Sequence, residues 1–441
     1  MIVIIEPICK SFSHEKVNSG FLYGLRLAFP DEKLRLYADR THIKALQEIL
    51  SHDAVVIDDI EYISIDLGSS SSLIGAIRYY TLFKRIFKDI VRAGIDKIFF
   101  LSYSPIILYL IKRLKEKSTF SKLNFSFVLH GDFENIVDDK ESINPLVSPK
   151  VHIVIPRKST SEKLATIEFK TIPIKLIFIA QLTIGRLFGR VKNSVTGVFN
   201  YSLPISKWFS TREMLLWKNS PAFRYIALAN HVVGNAQRYI DIKELNIHTV
   251  VLPTNFATPT PRPNNKFAKF AIFGFGNASV LGEIAYRLEK RNIDKDYEVR
   301  IISMDHAGLL GHPHITCPSP GKALSRQDME RYAKDIDVFL ILYHKGQYKL
   351  TCSGTILEAI SNSKPILHFD NDCINSFNNT EMPIGICCES MDEYIYIMED
   401  IILNYDSYQP KLDNYRKNIS VLREELSVKS LVPNIRASFT W

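Results

Sequence analysis

The chain is poor in the features that mark secreted, membrane-spanning or metal-scaffolded proteins. Six cysteines stand in 441 residues (Cys9, Cys317, Cys352, Cys373, Cys387 and Cys388), with no CxxC pair and no even spacing. That speaks against a disulfide framework or zinc ribbon and for a reducing cytosol. Long apolar runs are missing too. The stretches at 99–111 and 172–184 fall short of the roughly 20 residues a spanning helix needs, and Ser, Pro, Lys or Gln interrupts them. The opening MIVIIEPIC has no basic leader and carries Glu6, so it reads as a first strand and not as a signal peptide. No repeat of 20–50 residues is visible, and low complexity is confined to GSSSS at 68–72.

What is present is an ordinary globular composition, 46% hydrophobic and 23% charged. A single core rarely grows beyond about 250–300 residues, so this length predicts two domains. The net charge of +8 is unevenly spread. Lys84–Lys122 carries ten basic and three acidic residues, and Lys150–Lys192 carries nine and two, so the positive field belongs to the N-terminal half.

Strand-like and helix-like runs alternate through that half. MIVIIEP, LRLYAD, EYISIDL, DKIFFLSY and FSFVLHGD read as strands, with HIKALQEIL and RYYTLFKRIFKDIVRAG as helices between them. SHEKVNSG reads as the loop after the first strand, and RYIALANHV as a last strand running into a helix. Residues 151–216 read as a basic-apolar insertion. VLPTNFATPTPRPNNKF, with four prolines, marks a linker. A second alternation follows it: FAIFGFG, YEVRIISMD, IDVFLILY and PILHF as strands, VLGEIAYRLEKR, ALSRQDMERYAKD and SGTILEAIS as helices. Such pacing predicts parallel sheets with helices on both faces. The expected layout is an α/β chain of two Rossmann-like doubly wound domains facing a central cleft. They span 1–255 and 266–415, and a helical tail, 416–441, packs back on the first.

Two segments carry chemistry. GFGNAS (Gly274–Ser279) lies between a strand and a helix, where backbone N–H groups and the helix dipole favour phosphate. It lacks the third glycine of a dinucleotide fingerprint, and a plain turn is an equal reading. In YKLTCSGTILEAISNSKPIL (348–367), Ser353-Gly354-Thr355 sits at a helix start, suited to a diphosphate. Glu358 lies one turn further in, among Ile356, Leu357, Ala359 and Ile360. It is either a solvated face residue or a bidentate acceptor for a sugar or ribose hydroxyl.

These stretches resemble the GT-B glycosyltransferases, in particular members similar to glycosyltransferase family 4. The likeness rests on IDVFLILY, on SGTILEAISNSKPIL, on the FGFGN turn and on HGD after an N-terminal strand, and is dense from about 268 to 370. The family often has an acid eight positions before the helix glutamate, where this chain has Leu350. The resemblance implies a glycosyltransferase moving a sugar from a nucleotide-sugar to a glycan or lipid-linked acceptor in surface polysaccharide biosynthesis. Gly274, Gly276, Asn277, Tyr343, Ser353, Gly354, Thr355 and Glu358 would hold the donor, with no cofactor and no metal. The alternatives are a nucleotide-sugar 2-epimerase of the same fold, or an inactive scaffold of that fold, which Leu350 brings into view.

On the acceptor side, FVLHGDFEN places His130, Asp132 and Glu134 at a strand's carboxyl end, where open α/β sheets bind ligands. His130 or Asp132 would orient the sugar or take the acceptor proton, while Glu134 reads as an ordinary capping acid. His14 is a further candidate base, in a loop where Gly20 would let a ligand approach; a plain polar loop is the competing reading. The DND at Asp370–Asp372 and the set His306, His312, His314 and Cys317 resemble metal ligands only loosely, and neither is expected to bind one. Tyr79, Phe83, Phe87 and Ile90 form one stripe of a helix and Lys84, Lys88 and Arg92 another. With the basic block at Lys150–Lys192, this raises contact with anionic lipid on the inner membrane face. No nucleic-acid motif accompanies the charge.

Overall fold

A computed structural model describes residues 1–57, 59–66, 73–137, 209–256, 258–274, 277–302, 311–319 and 324–440. The basic block at 150–192, Gly276 and His306 lie outside them.

The described residues form two parallel sheets. The first contains β1 (Ile2–Ile5), β2 (Leu34–Ala38), β3 (Ile60–Ser64), β4 (Lys97–Phe100), β5 (Asn124–Val128), β6 (Phe223–Ala227) and β7 (Asn246–Thr249), in the order β3-β2-β1-β4-β5-β6-β7. The second contains β8 (Ala268–Phe273), β9 (Tyr297–Ile302), β10 (Ile315–Thr316), β11 (Val338–Ile341), β12 (Ile366–Phe369) and β13 (Gly385–Cys388), in the order β10-β9-β8-β11-β12-β13. Central strands such as IVII, VFLI and ILHF are buried along their whole length, as a sheet covered by helices on both faces demands. RYIALANHV is therefore not the last strand of its sheet: β7, half-buried throughout, follows it as an edge strand.

In each sheet the order reverses beside the first strand, between β1 and β4 and between β8 and β11. Open α/β sheets bind ligands in the crevice at such a reversal. The loops after β1, β4, β8 and β11 are thus the ones the topology places for function.

One apolar cluster fills the first sheet with aromatics, among them Phe83, Phe99, Phe100, Phe125 and Phe127. It continues into the second half through Phe339, Ile341, Leu350, Ile356 and Leu357. A separate cluster lies on the other face of the second sheet, around Leu281, Ile284, Tyr394 and Met398.

The helix after β1, α1 (Glu15–Ala28), begins inside the segment that reads as a loop. Gly20 is consequently a helix residue, and a Cβ there would lie 1.9 Å from the Pro253 carbonyl oxygen. The close approach is made by the linker, not by a ligand. Gly24 likewise admits Ile435 from the helix Val428–Phe439 at the C-terminal end. That helix packs along α1, where Arg436 donates to the Ala28 carbonyl at 2.7 Å and Ser126 Oγ donates to the Ser438 carbonyl at 3.0 Å. Thr254 in the linker forms a parallel bridge with Ser427 just before it. Among the described residues the chain thus crosses between its halves at two adjacent places.

Candidate active site

At the β8/β11 reversal, Gly274 turns the chain out of β8 at φ +71°, left-handed backbone that a side chain would strain. A Cβ there would lie 3.4 Å from Thr355 Oγ1, so this turn rests against the start of the helix α2 (Gly354–Ser361). Ser353 caps α2, accepting the Thr355 N–H at 3.2 Å. The Tyr343 hydroxyl donates to Thr355 Oγ1 at 2.9 Å and lies 2.8 Å from Ser353 Oγ. Three hydroxyls therefore meet at a helix N-terminus, beside exposed Gly354. Such an end offers unpaired N–H groups and positive dipole to an anion. Gly274, Tyr343, Ser353, Gly354 and Thr355 lie together at this helix start. Asn277 is used differently: its side chain caps the helix Ala278–Glu289, accepting the Val280 N–H.

Glu358 faces the other half of the molecule. Its side chain is 12% exposed, and Lys16 Nζ pairs with Oε2 at 2.9 Å. Arg326 Nη1 donates to both oxygens, at 2.8 and 3.0 Å. These two cations hold the carboxyl at about 2, against the burial that would raise it. Neither solvated face residue nor free acceptor describes it: Glu358 is an ion-paired carboxylate at the contact between halves. Lys16 also donates to Ser361 Oγ at 2.9 Å, and burial lowers its ammonium to about 8. Beside it, burial raises Glu15 to about 7. His52 and Glu330 make a second cross-contact at 3.2 Å.

At the β1/β4 reversal the loop is organised by a residue the sequence pattern does not single out. Glu6 is fully buried. Its carboxylate accepts the N–H groups of Ile8 (2.8 Å) and Cys9 (2.9 Å), the Asn18 amide (3.0 Å) and the Ser102 hydroxyl. The loop carries His14, which precedes α1 in left-handed backbone and stacks on His130 with ring centroids 4.4 Å apart. His130 Nε2 donates to the Leu101 carbonyl at 2.8 Å. Burial lowers both imidazoles, that of His130 to about 3 with the His14 charge adding to the effect. His130 is therefore neutral at pH 7. Asp132 follows in the turn after β5, its carboxyl raised by burial.

Glu134 is not a capping acid. Its two oxygens accept the backbone N–H groups of Lys349 (2.9 Å) and Leu350 (2.7 Å), in the other half of the chain. Leu350 itself is fully buried. Where the resembling family places an acid, this chain has a core leucine whose amide meets a carboxylate from the opposite domain. His231 Nε2 donates to the carbonyls of Tyr348 (3.0 Å) and Thr351 (3.1 Å). Asn235 donates to the Lys349 carbonyl (3.1 Å) and to Asp372 (2.9 Å). Tyr348 stands at φ +56°, a conformation costing a non-glycine residue about 1–2 kcal/mol.

The DND residues are each engaged: Asp370 with Lys345 at 2.8 Å, Asn371 as the cap of Asp372–Asn375, and Asp372 with Asn235. No group of three His, Cys, Asp or Glu suited to a metal ion occurs among the described residues. His312 and His314 line a cavity of about 120 Å³ beneath the helix Ala278–Glu289, together with Leu281, Ile284 and Tyr297. In the first basic block, Tyr79, Phe83, Phe87 and Ile90 are buried in the core, so they are not a lipid-facing stripe. Lys112 is buried as well, donating to three carbonyls at residues 214–217. Arg85, Lys88, Arg92, Arg113, Lys117 and Lys122 remain exposed. No helix among the described residues is long and apolar enough to cross a membrane.

No protein-family model matches the sequence, and no curated protein matches it. Solved structures do match the fold. A lipopolysaccharide outer core galactosyltransferase, WaaB in its apo form, aligns over 99% of this chain and 98% of its own, with TM-score 0.54 and 13% identity. A glycosyltransferase from Rickettsia africae ESF-5 aligns over 98% and 95%, with TM-score 0.53 and 12% identity. HepE from Anabaena, in complex with UDP-glucose, aligns over 98% and 97%, with TM-score 0.53 and 9% identity. At such identities the likeness is one of fold. The described residues have the two-domain GT-B architecture.

Proposed function

We propose that this GT-B chain is a glycosyltransferase, transferring a sugar from a nucleotide-sugar to a hydroxyl of a glycan or lipid-linked acceptor. The observation that carries the reading is the meeting of Tyr343, Ser353 and Thr355 at the start of α2, against the Gly274 turn and at a sheet reversal. Neutral hydroxyls, unpaired N–H groups and a helix dipole suit a diphosphate leaving group, whose charge grows as the glycosidic bond breaks. The complex of HepE with UDP-glucose supports a nucleotide-sugar as donor class.

In this reading the acceptor oxygen attacks the anomeric carbon, the bond to the diphosphate breaks, and the acceptor proton passes to a base. His14 is the better base of the stacked pair, because a group as acidic as His130, at about 3, holds a proton poorly at pH 7. His130 then orients His14 through the ring stack. Asp132 helps hold the acceptor. Glu358, paired with Lys16 and Arg326, fixes the contact between the halves beside this site. The hydroxyls and the helix end are proposed to stabilise the leaving diphosphate in place of a metal ion. The protein works in the cytoplasm, its exposed basic face toward the anionic leaflet.

The test is a donor screen scored by product mass, run with and without acceptor and with EDTA. Transfer that requires acceptor and persists in chelator is the expected result. Loss of turnover restored by manganese would refute the metal-free arrangement. Interconversion of the donor without acceptor would identify an epimerase instead.

A further inference from the structure

Residues 344–347 and 348–351 are held by different domains. The first group is tied to its own half: the Asn371 amide donates to the carbonyls of His344 (2.8 Å) and Gln347 (2.9 Å). The second group is bound by the opposite domain. Glu134 takes the N–H groups of Lys349 and Leu350, while His231 and Asn235 together donate to the carbonyls of Tyr348, Lys349 and Thr351. Both kinds of backbone group are thus satisfied by three side chains from two separate segments of the first domain. A left-handed tyrosine persists only where its surroundings over-determine it, and here much of that determination comes from across the domain contact.

The next residues are Cys352 and Ser353, the cap of α2. Tyr348 also packs its ring 4.6 Å from that of Tyr343, whose hydroxyl joins Ser353 to Thr355. The clamped segment is therefore continuous with the anion-binding helix end, through the chain and through the tyrosine pair.

We propose that Glu134, His231 and Asn235 are positioning residues that assemble the donor site of one domain from the other. The inference rests on the donor reading given above. It predicts that the helix end takes its binding geometry only while the acceptor domain grips residues 348–351. Occupancy of the donor site and contact between the domains are then thermodynamically linked.

The experiment combines amide hydrogen exchange with kinetics on the full chain. In the wild type, the Lys349 and Leu350 amides should be protected. In Glu134→Ala their exchange should rise about tenfold or more, the scale for losing a hydrogen bond to a charged group, while the core strands stay protected. The KM for the donor should rise by a similar factor, with the acceptor KM unchanged. His231→Ala should behave alike, and His231→Gln, whose amide keeps an N–H donor, should recover most of the loss. The Glu134→Ala, His231→Ala double variant should lose less than the product of the single losses, because both loosen one segment. A donor KM that stays put while exchange rises would overturn the proposal. So would unchanged exchange at 349–350, or failure of His231→Gln to rescue.

Calorimetric titration of the wild type with UDP, GDP, ADP, CDP, dTDP and CMP separates this inference from the reading beneath it. Binding of none of them would remove the donor reading and the positioning role with it, even with the exchange difference present. Binding together with unchanged exchange would remove the clamp alone.

Discussion

The two sheet reversals share a topology and differ in chemistry. The one between β1 and β4 is built from ionisable groups: Glu6 buried among four donors, His14 stacked on His130, and His42 bonded to Asn18 at 3.0 Å. The one between β8 and β11 is built from hydroxyls, a glycine turn and a helix end. The first arrangement can move or hold protons. The second, among the described residues, offers hydroxyls and a helix end to negative charge. A crevice at a sheet reversal follows from strand order, but what it does follows from the residues that line it.

If that contrast is real, the first site should be the more costly to disturb. Glu6→Ala leaves several buried donors without an acceptor, at about 1–3 kcal/mol each. The expected loss is about 3 kcal/mol or more, read from the urea midpoint. Ser353→Ala should cost only about 1 kcal/mol, the usual worth of a helix cap. Equal losses at the two sites would dissolve the comparison.

Acid titration sharpens it further. His130 is lowered from 6.5 to about 3, so the unfolded chain takes up its proton first, and stability falls as pH drops through that window. Glu358 is lowered from 4.5 to about 2. Its pairing stabilises the fold above pH 4.5 and is lost as pH falls toward 2, an effect of about 3 kcal/mol on the linkage scale. Stability curves of His130→Gln should flatten between pH 6.5 and 4.5, and those of Glu358→Gln below 4.5. A wild-type curve level from pH 7 to 3 would contradict both assignments.

At the second site, Tyr343→Phe removes the hydroxyl that joins Ser353 to Thr355. Donor affinity should drop by about 1–1.5 kcal/mol, measured by calorimetry, with little change in the urea midpoint. The smallest effect belongs to the exposed basic face. Each cation near anionic lipid contributes about 1 kcal/mol at most, and salt screens it. Sedimentation with anionic vesicles at low salt should weaken in Arg85→Glu, Lys88→Glu and Arg92→Glu, step by step. Absence of wild-type pelleting would leave these residues as a solvated surface.

Much of this architecture is legible in the sequence because it is local. Buried strands such as IVII and VFLI announce themselves as unbroken apolar runs, and Tyr343, Ser353 and Thr355 lie within one short segment. The strands NIHT, IT and GICC do not, being short, partly exposed and at or near sheet edges. Nor do the contacts of Glu134 with Leu350 or of Lys16 with Glu358. Each joins residues more than 200 positions apart, and no periodicity in a single chain records such a pairing. Glu134 reads as a cap because its sequence neighbours are turn residues. Its real partners arrive from another domain.

The paired crossings at Thr254 and Ser427 have a mechanical consequence. With two adjacent strands of chain joining the halves, swivelling about the connection would wind one around the other, whereas bending about it would not. The halves are therefore hung like a door and not like a pendulum, with opening favoured over twist. A single cut in the proline-rich linker would not release either half either, because the helix Val428–Phe439 stays seated along α1 and keeps the remaining crossing anchored.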